Sequence, residues 1–113
     1  ELWEARGLQV VVGDIYKLPF PNNSFDTVYS SHVLEHLEDP RRAISESVRV
    51  ATRRIIHVVP DGNVGEKNHG SPHLHHFNRI RFEELFEEFD IKQVAYKAIT
   101  DDHINSLMVV YDV

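Results

Sequence analysis

Asp14 closes the run Val10-Val11-Val12-Gly13, and Ser30-Ser31-His32 closes the run Phe25-Asp26-Thr27-Val28-Tyr29. His36 follows shortly after, and His69, His73, His75 and His76 crowd one later stretch. In open α/β sheets, ligands sit in the crevice outside the carboxyl ends of the strands. A carboxylate there can accept a hydrogen bond from an amino group, such as the exocyclic amine of adenine. An isolated Gly-Asp is equally a turn pair, and only the order of the whole string lifts Asp14 above that reading. Histidine is the usual general base near neutral pH, which makes His32 and His36 candidates for that role. The four later histidines, spaced H-x₃-H-x-H-H, fit three readings: nitrogen ligands for zinc, contacts to a substrate, or a plain loop. No Cys or carboxylate stands among them, and no helix fixes their geometry.

The elements that must position these groups follow from patterning. Leu8 to Val12 is a short β-branched run that reads as a buried parallel strand. Two prolines make Leu18 to Ser24 a loop. Phe25 to Ser30 reads as the next strand, and Val33 to Leu37 as a short helix. Asp39-Pro40 starts a helix, with Asp as cap and Pro at the first position. Ala43, Ile44, Val48 and Ala51 give that helix an apolar stripe, and Arg53 and Arg54 suit its end. Ile55 to Val59 is a third strand, halted at Pro60-Asp61-Gly62, and Asn63 to His76 is a long loop. Asn78 caps a helix over Arg81 to Phe89, with Phe82, Leu85, Phe86 and Phe89 on one face. Ile91 to Thr100 and Ser106 to Asp112 alternate as an antiparallel pair. The sum is an α/β sandwich with a mixed sheet.

Composition bounds the rest. The chain of 113 residues is one small domain or a piece of a larger one, 42% hydrophobic and 27% charged, as a soluble globular chain is. No apolar run reaches the length of a membrane helix, and the amino terminus lacks the form of a secretory signal. There is no cysteine, which fits a cytoplasmic protein. A net charge of −6 argues against a nucleic-acid partner. The remaining basic cluster, Arg41, Arg42, Arg49, Arg53 and Arg54, reads as the solvated face of one helix.

The string Gly13-Asp14, Leu18-Pro19-Phe20, Phe25-Asp26 and Ser30-Ser31-His32-Val33-Leu34-Glu35-His36 resembles the type 11 methyltransferase domains of the class I S-adenosylmethionine (SAM)-dependent family. The resemblance runs from about Gly7 to Asp112 and is sharpest over Gly13 to Pro40. It implies SAM as cofactor, with Asp14 on the adenine amine and the main chain of Ile15 facing the adenine ring. It also implies Ser30, Ser31 and His32 along the methionine side, with Asp26 structural at the far strand end. A small-molecule acceptor would be approached from the histidine-rich loop, with His73, His75 and His76 as its contacts. Methyl transfer from a sulfonium needs no acid for the leaving group, so positioning supplies much of the acceleration. A hydroxyl or ammonium acceptor does need a base, for which His32 and His36 are the candidates.

The same resemblance sets two departures. The chain begins just before the family's third strand, so the glycine-rich cofactor loop after the first strand and the acidic residue ending the second have no counterpart. Val50-Ala51-Thr52-Arg53-Arg54 replaces a Lys-Pro-Gly-Gly turn. With a family sheet order of 3-2-1-4-5-7-6, the Leu8 to Val12 strand would stand without neighbours. The expectation is a partial methyltransferase domain over residues 1–113, a Rossmann-like sheet of strands three to seven ending in an antiparallel hairpin. It is completed by an amino-terminal segment, by a second copy as a homodimer, or by rearrangement. Alternatives are a non-catalytic assembly module and a protein that binds metal through its histidine loop.

Overall fold

A strand is stable where its amides and carbonyls meet those of a neighbour. Among the described residues four segments meet that condition, in the order β1-β2-β4-β3. The computed structural model describes residues 7–61, 77–89, 91–100 and 105–113. Within them, β1 (Phe25–Ser31) pairs parallel with β2 (Ala51–Pro60). The other side of β2 pairs antiparallel with β4 (Asn105–Asp112), which pairs in turn with β3 (Lys92–Thr100). This is the 4-5-7-6 block of the expected sheet. The terminal hairpin stands where the alternation put it.

The expected strand over Leu8 to Val12 does not form: residues 8–13 have no regular structure and are exposed, Val12 to 96%. Among the described residues no strand lies beside them, so their β-branched side chains have neither ladder nor core to join. At Asp14 a turn closes through Lys17 N–H donating to the Asp14 carbonyl at 2.9 Å.

Helix α1 (Pro40–Val50) begins as Asp39-Pro40 predicts, the Asp39 carboxylate accepting from the Arg42 amide at 3.4 Å. Its buried stripe is Ala43, Ile44, Ser47 and Val50, and Val48 is only half-buried. The expected stripe was off by one because Ser47 can turn its hydroxyl inward onto the Ala43 carbonyl, 3.1 Å away. The helix ends directly against β2 with no turn between, which places Arg53 and Arg54 in the strand and not at the helix end. There they pair with Asp26 and Asp112, each at 3.0 Å. Asp26 therefore braces the amino end of β1, and its carboxyl is held below the usual range by the hydrogen bonds from Thr27 and Arg53. Helix α2 (Arg79–Phe86) is capped by Asn78, whose side chain accepts from the Arg81 amide at 2.9 Å. It is shorter than expected, and Phe89 lies beyond it against the core.

Both helices pack on one face of the sheet. Leu34, Ala43, Ile44, Phe77, Phe82, Leu85 and Phe86 meet Val59, Leu107, Val109 and Tyr111 in a single core. Phe86 stacks on Tyr111 with centroids 3.8 Å apart, and Phe77 on Phe82 at 5.1 Å. No helix among the described residues is long and apolar enough to cross a membrane. Replacing Phe82 with Ala should open a cavity at the centre of this stack and destabilise the chain by about 3–5 kcal/mol. Chemical denaturation reads this as a lowered midpoint with an unchanged slope.

Candidate active site at the ends of the parallel strands

The loop from Leu18 to Asn23 lies against α1 because one side chain holds it. Arg49 donates to the carbonyls of Phe20 (2.8 Å) and Leu18 (3.1 Å) and to the Asn22 side chain (3.0 Å). Glu46 accepts from Arg49 and from the Leu18 amide at 2.7 Å. Those hydrogen bonds lower the Glu46 carboxyl, and Glu46 raises the Arg49 guanidinium in return. A Cβ on Gly13 would lie 2.8 Å from the Pro19 ring, so this loop and the Asp14 turn fit only because residue 13 is glycine.

Asp14 is exposed, and its Oδ1 accepts from the Tyr16 amide at 2.9 Å. The carboxylate therefore closes its own turn, the plainer of the two readings its sequence allowed, and it does not end a strand. The turn is nonetheless tied to the carboxyl side of β1. The Tyr16 hydroxyl accepts from the Asp39 amide at 3.1 Å, Arg42 lies over the Tyr16 ring, and Ile15 and Tyr16 pack against the core.

Ser30 and Ser31 are the last residues of β1, and His32 follows with a φ of 56°, a left-handed conformation that re-aims its side chain away from the strand. Its amide still donates to the Val58 carbonyl at 2.8 Å. The next residues make a short 3₁₀ turn, Leu34–His36, which buries Leu34 and Glu35 and leaves His36 exposed. The result is one corner holding Ser30, Ser31, His32, Glu35 and His36 at the carboxyl end of β1. Across it, β4 begins, and Ser106 Oγ lies 3.4 Å from His32 Nε2.

Three members of this corner were given no role by sequence reasoning. Ser30 is in register with His57 of β2, and its hydroxyl lies 2.5 Å from His57 Nδ1. His57 is 1% exposed, its Nε2 has no hydrogen-bond partner, and burial pushes its pKa down to about 4. The second is Glu35, 1% exposed, with Oε2 3.5 Å from His32 Nδ1 and 3.6 Å from His36 Nε2. The third is Ser106, 74 residues from His32 in sequence. A titratable residue inside the apolar run Ile55 to Val59 was the available signal for His57. His69, His73, His75 and His76 lie outside the described residues. The basic cluster expected around one helix is dispersed: Arg41 pairs with Glu88, Arg42 covers Tyr16, and Arg49, Arg53 and Arg54 have the partners given above.

Residues 2–56 match the family model of a methyltransferase domain. An uncharacterized methyltransferase of Schizosaccharomyces pombe is 56% identical over 39 residues, a stretch that is 34% of this chain and 14% of that protein. A SAM-dependent methyltransferase of Aquifex aeolicus superposes with a TM-score of 0.74 at 16% identity, over 97% of this chain and 58% of that one. The cyclase SpnF superposes as well, at a TM-score of 0.75 and 13% identity, over 98% of this chain and 63% of that one. The chain thus spans little more than half the length of these structures. Residues 2–56 are similar in sequence to a methyltransferase domain, and the fold is that of the class I SAM-dependent methyltransferase structures it superposes on.

His57 gives the site a signature in stability. Above about pH 6.5 its ring is neutral folded or unfolded, whereas between about 6.5 and 4 only the unfolded chain takes up the proton. Stability should therefore fall as the pH drops through that window, by up to about 3 kcal/mol. In His57→Gln this part of the acid-side loss should disappear from denaturation midpoints measured across the range.

Proposed function

We propose that the chain forms part of a SAM-dependent methyltransferase domain acting in the cytoplasm on a small-molecule acceptor. The observation that carries the reading is the Ser30-Ser31-His32 corner. It stands at the carboxyl end of the parallel strand β1 and inside the segment that matches a methyltransferase domain. That is the side of an open α/β sheet where ligands bind. The family match and the fold support SAM as the cofactor. The residues assigned to it suit it by type: the exposed Asp14 carboxylate for the adenine amine, the Ile15 main chain for the ring, and Ser30, Ser31 and His32 for the methionine portion. Bound there, the cofactor would supply a methyl group on a positively charged sulfur that leaves as a neutral thioether. The chain's own part is to hold that group in line with the acceptor and to take a proton from the acceptor where it carries one, at His32 with His36 beside it. His73, His75 and His76 are assigned to the acceptor side.

A second reading, assembly with another polypeptide, is favoured by the exposed run Leu8 to Val12 and by the position of β1 at the sheet edge. A second copy or a further segment pairing with that edge would cover both. Light scattering that gives a monomer removes self-pairing.

Calorimetric titration with SAM or S-adenosylhomocysteine tests the leading reading, in this chain and in any longer chain that contains it. Binding is expected, and Asp14→Ala should weaken it about 10- to 100-fold, the range of a hydrogen bond to a charged group. Absence of binding at millimolar ligand overturns the assignment.

A further inference from the structure

The geometry points to Glu35 as the positioning residue for His32, which makes His32 a base with its Nε2 lone pair turned to the acceptor. This deepens the reading above and rests on it, because it narrows the acceptor to one that carries a dissociable proton on oxygen or nitrogen. The argument starts from burial. Glu35 is 1% exposed and neither of its oxygens has a hydrogen-bond partner among the described residues. A carboxylate so placed is costly unless a proton donor or a cation stands against it. The groups that approach it are two imidazoles, His32 Nδ1 at 3.5 Å and His36 Nε2 at 3.6 Å, both toward Oε2. These separations lie just past hydrogen-bond length, and catalytic contacts of this kind tighten when a ligand closes the site.

The opposite nitrogen of His32 completes the pattern. Its Nε2 faces Ser106 Oγ at 3.4 Å, so a ring with its proton on Nδ1 would accept from the serine hydroxyl there. That contact is long enough to be weak, and an acceptor hydroxyl or ammonium can take its place. The His32 side chain is 36% exposed, so a small molecule can reach the ring. The left-handed backbone at His32 is what turns the ring toward Glu35 and Ser106 together. In the step this serves, Nε2 takes the acceptor's proton as the acceptor's oxygen or nitrogen bonds to the methyl carbon of a sulfonium donor. The carbon–sulfur bond breaks, the electron pair stays on the sulfur, and the imidazolium is balanced by Glu35 until its proton passes to water. Ser47, the other small polar side chain buried on this side, already donates to a carbonyl and takes no part.

The test reads the tautomer directly. In ¹⁵N-labelled protein at about pH 8, where an ordinary imidazole is neutral, long-range proton–nitrogen correlation distinguishes a protonated ring nitrogen from a bare one. The expected result is a proton on Nδ1 of His32 and a bare Nε2. Glu35→Leu, which removes the acceptor, should shift the proton to Nε2, the form free histidine side chains favour in water. A wild-type His32 protonated on Nε2 overturns the proposal, and so does a folded Glu35→Leu with an unchanged tautomer. If Glu35→Leu does not fold, the wild-type tautomer decides alone. Neither measurement uses the methyl donor. Loss of S-adenosylhomocysteine binding therefore defeats the methyltransferase reading without touching the dyad, and the wrong tautomer defeats the dyad without touching cofactor binding.

Discussion

A strand persists only where its backbone hydrogen bonds are answered, and among the described residues that requirement is met for β1 by β2 alone. The parallel pairing of these two strands is the constraint on which the site depends. It runs with a single irregularity near Phe25 and delivers Ser30 opposite His57 and Ser31 opposite Val58. Without it, His32 would have no carbonyl to receive its amide and no fixed place from which to turn. β2 is in turn locked by β4 on its other side, so the strand that positions the corner is paired along both edges. The same requirement explains the run from Leu8 to Val12. Its residue types suit a strand as well as those of β1 do, but no neighbour is described for it and it remains irregular and exposed.

The polar groups buried on the helix side are not treated alike. Ser47 answers its own hydroxyl within the helix, at 3.1 Å. His57 has one nitrogen satisfied and one orphaned, and Glu35 has no hydrogen bond on either oxygen. Each orphaned group costs on the order of 1–3 kcal/mol relative to a satisfied one. Both belong to the corner at the ends of the parallel strands, while the remainder of the core is apolar and aromatic. Local disagreement with good packing, gathered at one place, is what a functional site imposes on an otherwise consistent fold.

Much of this was legible in the sequence, for reasons that are local. Asp39-Pro40 and Asn78 carry their capping chemistry in the residues themselves, and the alternation from Lys92 to Asp112 closes a hairpin that needs no distant partner. Where the outcome turned on tertiary partners, the letters misled. Val48 and Ser47 differ by one helical position, and the deciding factor was a hydroxyl able to satisfy itself inward. Arg53 and Arg54 fit a helix end by charge, but the helix stops at Val50 and both stand in β2, where they meet Asp26 and Asp112 from far away in sequence. Asp14 was legible as a residue type but not as a turn closed by its own carboxylate. For the candidate site, Ser30, Ser31 and His32 stand at the carboxyl end of β1, as their place in the sequence indicated. Glu35 sat unassigned in a familiar string because nothing in its spacing announces burial, and Ser106 reaches the corner only through the sheet.

The fold by itself does not choose the reaction, since a cyclase superposes on this chain as well as a methyltransferase does. The choice has to come from side chains. A sulfonium releases its methyl group to a neutral thioether, so no acid is required on the donor side. Any proton machinery at such a site therefore addresses the other reactant. A thioether or a tertiary amine would need none, and a buried carboxylate against two imidazoles would then be a burden without return. An acceptor bearing a hydroxyl or an ammonium does need it, because its lone pair becomes available only as the proton leaves. On the reading proposed above, the corner built by His32, Glu35 and Ser106 is thus better matched to an acceptor's chemistry than to a donor's.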